Sequence, residues 1–237
     1  MKTTKHKANT RGYFDHGWLK TFHTFSFAGY YDKERVHFGM LRVLNDDIVL
    51  PGEGFGTHPH DNMEIVTIPI TGELAHKDST GNEEVIRANE IQIMSAGSGL
   101  THSEYNASET DEVNLLQIWV FPKERNIKPR YNQKIFDKEL RKNKFLTVVS
   151  PEKSDLSLWI NQDAYFSLVS LDADKKIKYE IKHKGNGAYI FVIDGSIETA
   201  GELLDKRDGM GIEETDFFEI LAKKDSEILV IEIPMKG

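Results

Sequence analysis

The chain has 237 residues and a net charge of −8, with 39% hydrophobic and 29% charged residues and no cysteine. That size and balance suit a soluble globular protein of one large domain or two small ones. The acidic balance argues against general nucleic-acid binding. The missing cysteines exclude disulfides, thiolate metal sites, cysteine-ligated iron–sulfur clusters and cysteine nucleophiles.

The start, Met1-Lys2-Thr3-Thr4-Lys5-His6-Lys7, is basic, but no apolar stretch follows it, and no run of about 18 apolar residues occurs anywhere. A cytoplasmic protein without a membrane span is the expectation. Next comes an aromatic segment with Trp18, Phe22, Phe25 and Phe27. Its first reading is a set of rings docked on a barrel; its second is the wall of a pocket for a flat substrate. Short runs rich in Val, Ile, Phe and Tyr then predict strands over 39–44, 63–70, 73–77, 83–86, 90–95 and 113–121. Turn signals separate them, among them Asn45-Asp46-Asp47, Thr71-Gly72 and Ala88-Asn89. A short helix is predicted over 134–143.

Many short strands at regular spacing predict an all-β fold, a sandwich or barrel. A faint internal repeat doubles it. Ile68-Pro69-Ile70-Thr71-Gly72-Glu73-Leu74 matches Val192-Ile193-Asp194-Gly195-Ser196-Ile197, and the strand ending at Pro122 matches the one ending at Pro234. The predicted organisation is an N-terminal domain over 1–130, a polar linker over 131–150 and a C-terminal domain over 151–237.

Between the predicted strands lie two pairs of the form ligand-x-ligand. His58-Pro59-His60 follows the glycines of Gly52-Glu53-Gly54-Phe55-Gly56. His102-Ser103-Glu104 follows Gly97-Ser98-Gly99. Residues i and i+2 of a strand share a face, so each pair can present two donors to one point. Three imidazoles and a carboxylate suit a divalent transition metal with positions left open for water or substrate. The second half lacks this set. The repeat places His183 against His60 but Ile181 against His58, and Glu214 and Asp216 against His102 and Glu104. The C-terminal domain is therefore expected to be metal-free. His16, His23, His37 and His76 read as hydrogen-bonded structural residues, with His23 and His76 also placed to line a pocket or support ligands. Phe55, Met63, Met94 and Gln117 are the candidate pocket residues, because they lie near the ligand pairs or on adjoining strands.

The two elements resemble the paired motifs of the cupin superfamily, and more closely those of the pirin family of two-barrel cupins (bicupins). The likeness rests on His58-Pro59-His60 with Glu64, on His76-Lys77-Asp78-Ser79-Thr80-Gly81, on Met94-Ser95-Ala96-Gly97-Ser98-Gly99 leading to His102-Ser103-Glu104, and on Gln117-Ile118-Trp119. His16-Gly17-Trp18-Leu19 and Thr24-Phe25-Ser26-Phe27 resemble the bacterial pirin-like quercetinases. The resemblance implies two cupin barrels, with the metal in the first, held by His58, His60, His102 and Glu104. Glu64 matches a ligand position of many single-domain cupins and stands in reserve. The implied metal is iron(II) first, with manganese, cobalt, nickel, copper or zinc as alternatives. The implied activity is quercetin 2,3-dioxygenase-like cleavage of a small aromatic substrate by O2, with Glu104 as both ligand and base, in a monomer. A regulatory protein that binds transcription or metabolic partners is the alternative. Another metal-dependent cupin activity on a small aromatic, enol or sugar is a third.

Overall fold

The computed structural model describes residues 1–236. Among them the chain is all β apart from two single 3-10 turns, Ala8–Thr10 and Lys138–Arg141. The strands form two seven-stranded and two four-stranded sheets, one of each per barrel, the two-barrel architecture expected from the sequence.

The N-terminal seven-stranded sheet has the order Arg130–Ile135, Glu90–Ser95, Glu64–Thr71, Val113–Val120, Leu41–Val49, Leu19–His23, Gly12–Asp15. Its four-stranded partner has the order Gly54–His60, Leu100–Asn106, Glu73–Asp78, Glu83–Arg87. The two sheets meet through Leu19, Val49, Val113 and Leu115 on one side and Leu74 and Ile86 on the other. The C-terminal half repeats this plan.

Alternation along the strands explains how the halves join. In Val113–Val120, Leu115 packs inside its own barrel, while Leu116, Ile118 and Val120 point outward into a second core. That outer core also takes Phe166, Phe191, Leu229 and Ile231 from the C-terminal half. A strand buried on both faces reads as a continuous apolar run, which is what Leu115 to Val120 nearly is. Gln117 and Trp119, which interrupt the apolar character on the inner face, are the exceptions.

Three expectations need correction. The predicted 39–44 strand does not stop at Asn45-Asp46-Asp47; it runs over Leu41–Val49. The three polar residues are accommodated because their side chains find partners or a cavity rather than solvent. The 131–150 segment is not an unstructured linker: Arg130–Ile135 adds an edge strand to the N-terminal sheet and Leu146–Ser150 pairs with Tyr165–Leu171. The helix predicted over 134–143 reduces to the 3-10 turn Lys138–Arg141, capped by the Asp137 carboxylate accepting from the Glu139 N–H. The first strand, Lys2–His6, pairs with Gly209–Glu213 in the sheet of the opposite half.

The interior of the C-terminal barrel is filled. Val169, Tyr179, Ile190, Phe218, Ile220 and Val230 are among the side chains that pack it. Its one inward carboxylate, Glu232, is fully buried and accepts from the backbone N–H groups of Lys182 and His183, from Asn186 Nδ2 and from the Tyr179 hydroxyl. His183, Glu214 and Asp216 are exposed.

Candidate metal centre

The strands Gly54–His60 and Leu100–Asn106 run antiparallel, with His58 directly opposite His102. Left-handed glycines introduce both, Gly52 at φ +68° and Gly97 at φ +51°. The pairing slips between His102 and Glu104, so that Glu104 lies opposite Phe55. The extra residue lies on the Gly54–His60 strand; His102 and Glu104 keep the ordinary two-residue alternation of theirs and share a face. One donor atom from each of His58, His60 and His102 lies within 4.8 Å of the other two. Glu104 forms a second such group with His102 and His76. His102 is thus common to both groups.

The ring nitrogens decide which histidines have a free lone pair. His58 Nδ1 donates to the Gly56 carbonyl at 2.8 Å, which leaves Nε2 unprotonated in the neutral ring. Both nitrogens of His102 are buried without a hydrogen-bond partner. His76 is different. Its Nδ1 accepts from the Gln92 amide at 3.2 Å and its Nε2 donates to Asp78 at 3.3 Å, so neither is free. Its ring stacks on Tyr131 at 4.8 Å and lies 5.3 Å from the His102 ring. It supports His102 by packing.

Glu104 is buried, with Oε2 accepting from Gln117 Nε2 at 2.9 Å and Oε1 without a partner. Gln117 is itself oriented by Thr67 Oγ1, which donates to its Oε1 at 2.9 Å. Burial, partly offset by the Gln117 hydrogen bond, pushes the Glu104 carboxyl up to about 7. Burial and then the neighbouring imidazoles His58, His60 and His76 pull His102 down to about 2; burial and then His58 pull His60 down to about 4. His60 and His102 are therefore held neutral, the form that ligates metals, beside a carboxylate that lacks a compensating cation. A buried orphan carboxylate oxygen next to orphan imidazole nitrogens fits a divalent cation on nitrogen and oxygen donors.

Glu64 does not join this group. Asn62, at φ +46°, breaks the chain direction between Gly54–His60 and Glu64–Thr71. Glu64 then shares a face with Val66 and Ile68, toward the other half. There its Oε2 accepts from Ser95 Oγ at 2.8 Å and from the Asn161 N–H at 3.1 Å.

A cavity of about 430 Å³ opens between the two N-terminal sheets. His58, His60 and Glu104 line it together with the rings of Trp18, Phe27, Phe55 and Trp119. Asn45, Asp47 and Gln117 also line it. Two of the four candidate pocket residues, Phe55 and Gln117, line it. Met63 and Met94 instead pack with Ile65, Ala96 and Leu100 against Trp119. They support a wall rather than form one. The aromatic segment divides: Trp18 and Phe27 face the cavity, while Phe25 is buried in the core between the halves. Asn45, Asp47 and Trp119 were missed as lining residues. Alternation would have found them, since 45 and 47 share the inner face with Val49, and 119 shares it with 117. A larger, open cleft of about 710 Å³ lies over the four-stranded sheet, but its walls carry charged Lys77, Glu83, Glu84 and Arg87 and no convergent set of free donors.

The chain was compared with known proteins. Residues 4–120 match the family model described as Pirin, and residues 147–233 match the one described as Quercetinase C-terminal cupin domain. A protein named quercetin 2,3-dioxygenase from Escherichia coli K12 is 43% identical over 96% of this chain and 97% of its own length. This chain belongs to the pirin family. A pirin-like protein of Caulobacter vibrioides is 39% identical over 92% of this chain and 94% of its own length. The crystal structure of YhhW from Escherichia coli superposes with a TM-score of 0.94 at 41% identity, covering 100% of both chains. A second structure, of that bacterial pirin in complex with nickel(II), has a TM-score of 0.93 at 41% identity over 98% of this chain and 99% of the other. A pirin relative thus holds a divalent metal, and the pirin fold described above carries histidine and glutamate groups able to hold one.

Proposed function

We propose that the protein is a metal-dependent dioxygenase of the pirin type that cleaves flavonols or closely related aromatic substrates with O2. The observation that carries the reading is one cavity lined jointly by His58, His60 and Glu104 and by four aromatic rings. Its relatives named quercetin 2,3-dioxygenase support the substrate class. The ligands assigned are His58, His60, His102 and Glu104. Such a nitrogen and oxygen set suits several divalent metals: iron(II) remains the first assignment, and the nickel(II) complex of a relative supports nickel as an alternative.

When bound, the metal would supply Lewis-acid stabilisation of the deprotonated substrate hydroxyl. The chain's own residues do the rest. Trp18, Phe27, Phe55 and Trp119 sandwich a flat ring system and exclude water from it. A volume of about 430 Å³ lies within the range of small-molecule sites. Glu104 receives the proton of the 3-hydroxyl, because its buried carboxylate keeps one oxygen with no hydrogen-bond partner. Gln117 fixes the carboxylate through Oε2, so that Oε1 faces the reacting group. The electron-rich ring then takes up both atoms of O2, opens, and releases one ring carbon as carbon monoxide.

The test is O2 uptake and carbon monoxide release by metal-loaded protein given quercetin. One O2 consumed per carbon monoxide formed is expected, with a loss of at least about a hundredfold in His58→Ala that parallels its loss of bound metal. Absence of O2 uptake across a panel of flavonols and metals would sink the reading.

A further inference from the structure

One wall of the cavity is left over by the ligand set. The strand Leu41–Val49 turns Asn45 and Asp47 inward and Asp46 outward. Asp46 is fully engaged, by Arg11 at 3.2 Å, Asn114 at 2.9 Å and Arg207 at 3.5 Å. Its two neighbours are not. Asp47 is buried, and among the described residues Thr21 Oγ1 is the only hydrogen-bond donor to its carboxylate, through Oδ1. Asn45 is buried too, and its Oδ1 has no partner. Both residues line the same cavity as Glu104. Gln117, the other polar residue on that wall, has both ends of its amide engaged, by Thr67 and Glu104.

Buried acceptors are almost always bonded. The Asp47 carboxylate, with one donor, and the Asn45 amide, with no recorded hydrogen bond, lie on one strand face beside a cavity that is otherwise aromatic, and mark where a ligand brings polar groups of its own. A hydroxyl complements this pair, because it can donate to the Asp47 carboxylate and accept from the Asn45 amide N–H. A methoxy group placed there has no proton to give Asp47. Neither residue is hydrogen-bonded to Glu104, so both remain available to a hydroxyl other than the one that reacts.

We propose that Asn45 and Asp47 form a hydroxyl-reading subsite, which selects polyhydroxylated aromatic substrates over those carrying only the reacting hydroxyl. The inference rests on the reading of this cavity as a flavonol site. Asp47 and Asn45 are specificity residues here, and their contribution appears in binding.

The experiment is an anaerobic titration of metal-loaded protein, read through quenching of Trp18 and Trp119 fluorescence. The two ligands are quercetin and 3-hydroxyflavone, which keeps only the reacting hydroxyl. The wild type should bind quercetin at least about tenfold more tightly. Asp47→Ala and Asn45→Ala, tested separately, should each cut that preference several-fold by weakening quercetin while leaving 3-hydroxyflavone within about twofold. Asp47→Asn, which keeps an acceptor, should restore part of it. Equal affinity of the wild type for both ligands would overturn the proposal, as would equal weakening of both ligands in the variants. O2 uptake on the same samples separates the two levels. Turnover without discrimination refutes the subsite and leaves the dioxygenase standing. Discriminating binding without turnover does the reverse.

Discussion

Glu104 combines three conditions that few carboxylates meet together. It is buried, it accepts one hydrogen bond through Oε2, and its Oε1 has none. Its carboxyl is pushed up to about 7 from an ordinary 4.5, so between those values the folded chain keeps a proton that the unfolded chain has released. Its contribution to stability is full below about pH 4.5 and is lost as pH rises through 7. Glu104→Gln removes that dependence. In metal-free protein its Tm relative to wild type should rise by on the order of 5 °C as pH goes from 4.5 to 7, measured by differential scanning calorimetry. A divalent metal should reverse the order, stabilising wild type above the variant, because a cation favours the ionised carboxylate. His102 works in the opposite sense. Pulled from 6.5 down to about 2, it stays neutral in the folded chain, and the stability it carries above pH 6.5 falls as the pH drops.

The strand pair Gly54–His60 and Leu100–Asn106 approaches closely enough for one residue type to decide its geometry. A Cβ on Gly54 would lie 2.2 Å from the Glu104 carbonyl oxygen and 2.5 Å from the Tyr105 Cα. Gly54→Ala must push the strands apart beside Glu104. We expect it to lower Tm by about 5 °C and to weaken metal binding at least about tenfold, read by metal titration. Much of this element was legible beforehand. Both pairs obey the two-residue period of a strand, and the glycines before them mark the turns. What could not be read was the break at Asn62, because it depends on how the chain leaves the Gly54–His60 strand. It decides that Glu64 does not face the cavity, while Glu104 does so by its ordinary alternation with His102. The Leu41–Val49 strand was misread for a related reason. Asn-Asp-Asp is turn chemistry locally, and only Thr21, Arg11, Asn114 and Arg207, brought by other strands and the far half, make it viable inside a sheet.

At the scale of the whole molecule, the two halves are fused through their seven-stranded sheets. Phe25, Leu116 and Ile118 from one half share a core with Phe166, Phe191 and Leu229 from the other. Glu64 seals the polar edge of this interface by accepting from Ser95 and from Asn161 across the halves. Arg130 adds a bond to the Trp159 carbonyl at 2.8 Å. Heat should therefore unfold both halves in one transition. Glu64→Ala strands two donors, and should lower that Tm by about 5 °C while metal stoichiometry stays at the wild-type value. A loss of metal in this variant would return Glu64 to the ligand set. The C-terminal barrel has a filled interior, with Glu232 satisfied by four donor groups, and contributes the other side of the core shared between the halves. The most direct measurement of where the metal binds is anomalous diffraction from metal-loaded crystals at the absorption edge of that metal. A single peak per chain, ligated by His58, His60, His102 and Glu104, is the predicted result. A peak ligated by His76 or Glu64, or one in the C-terminal half, would contradict it.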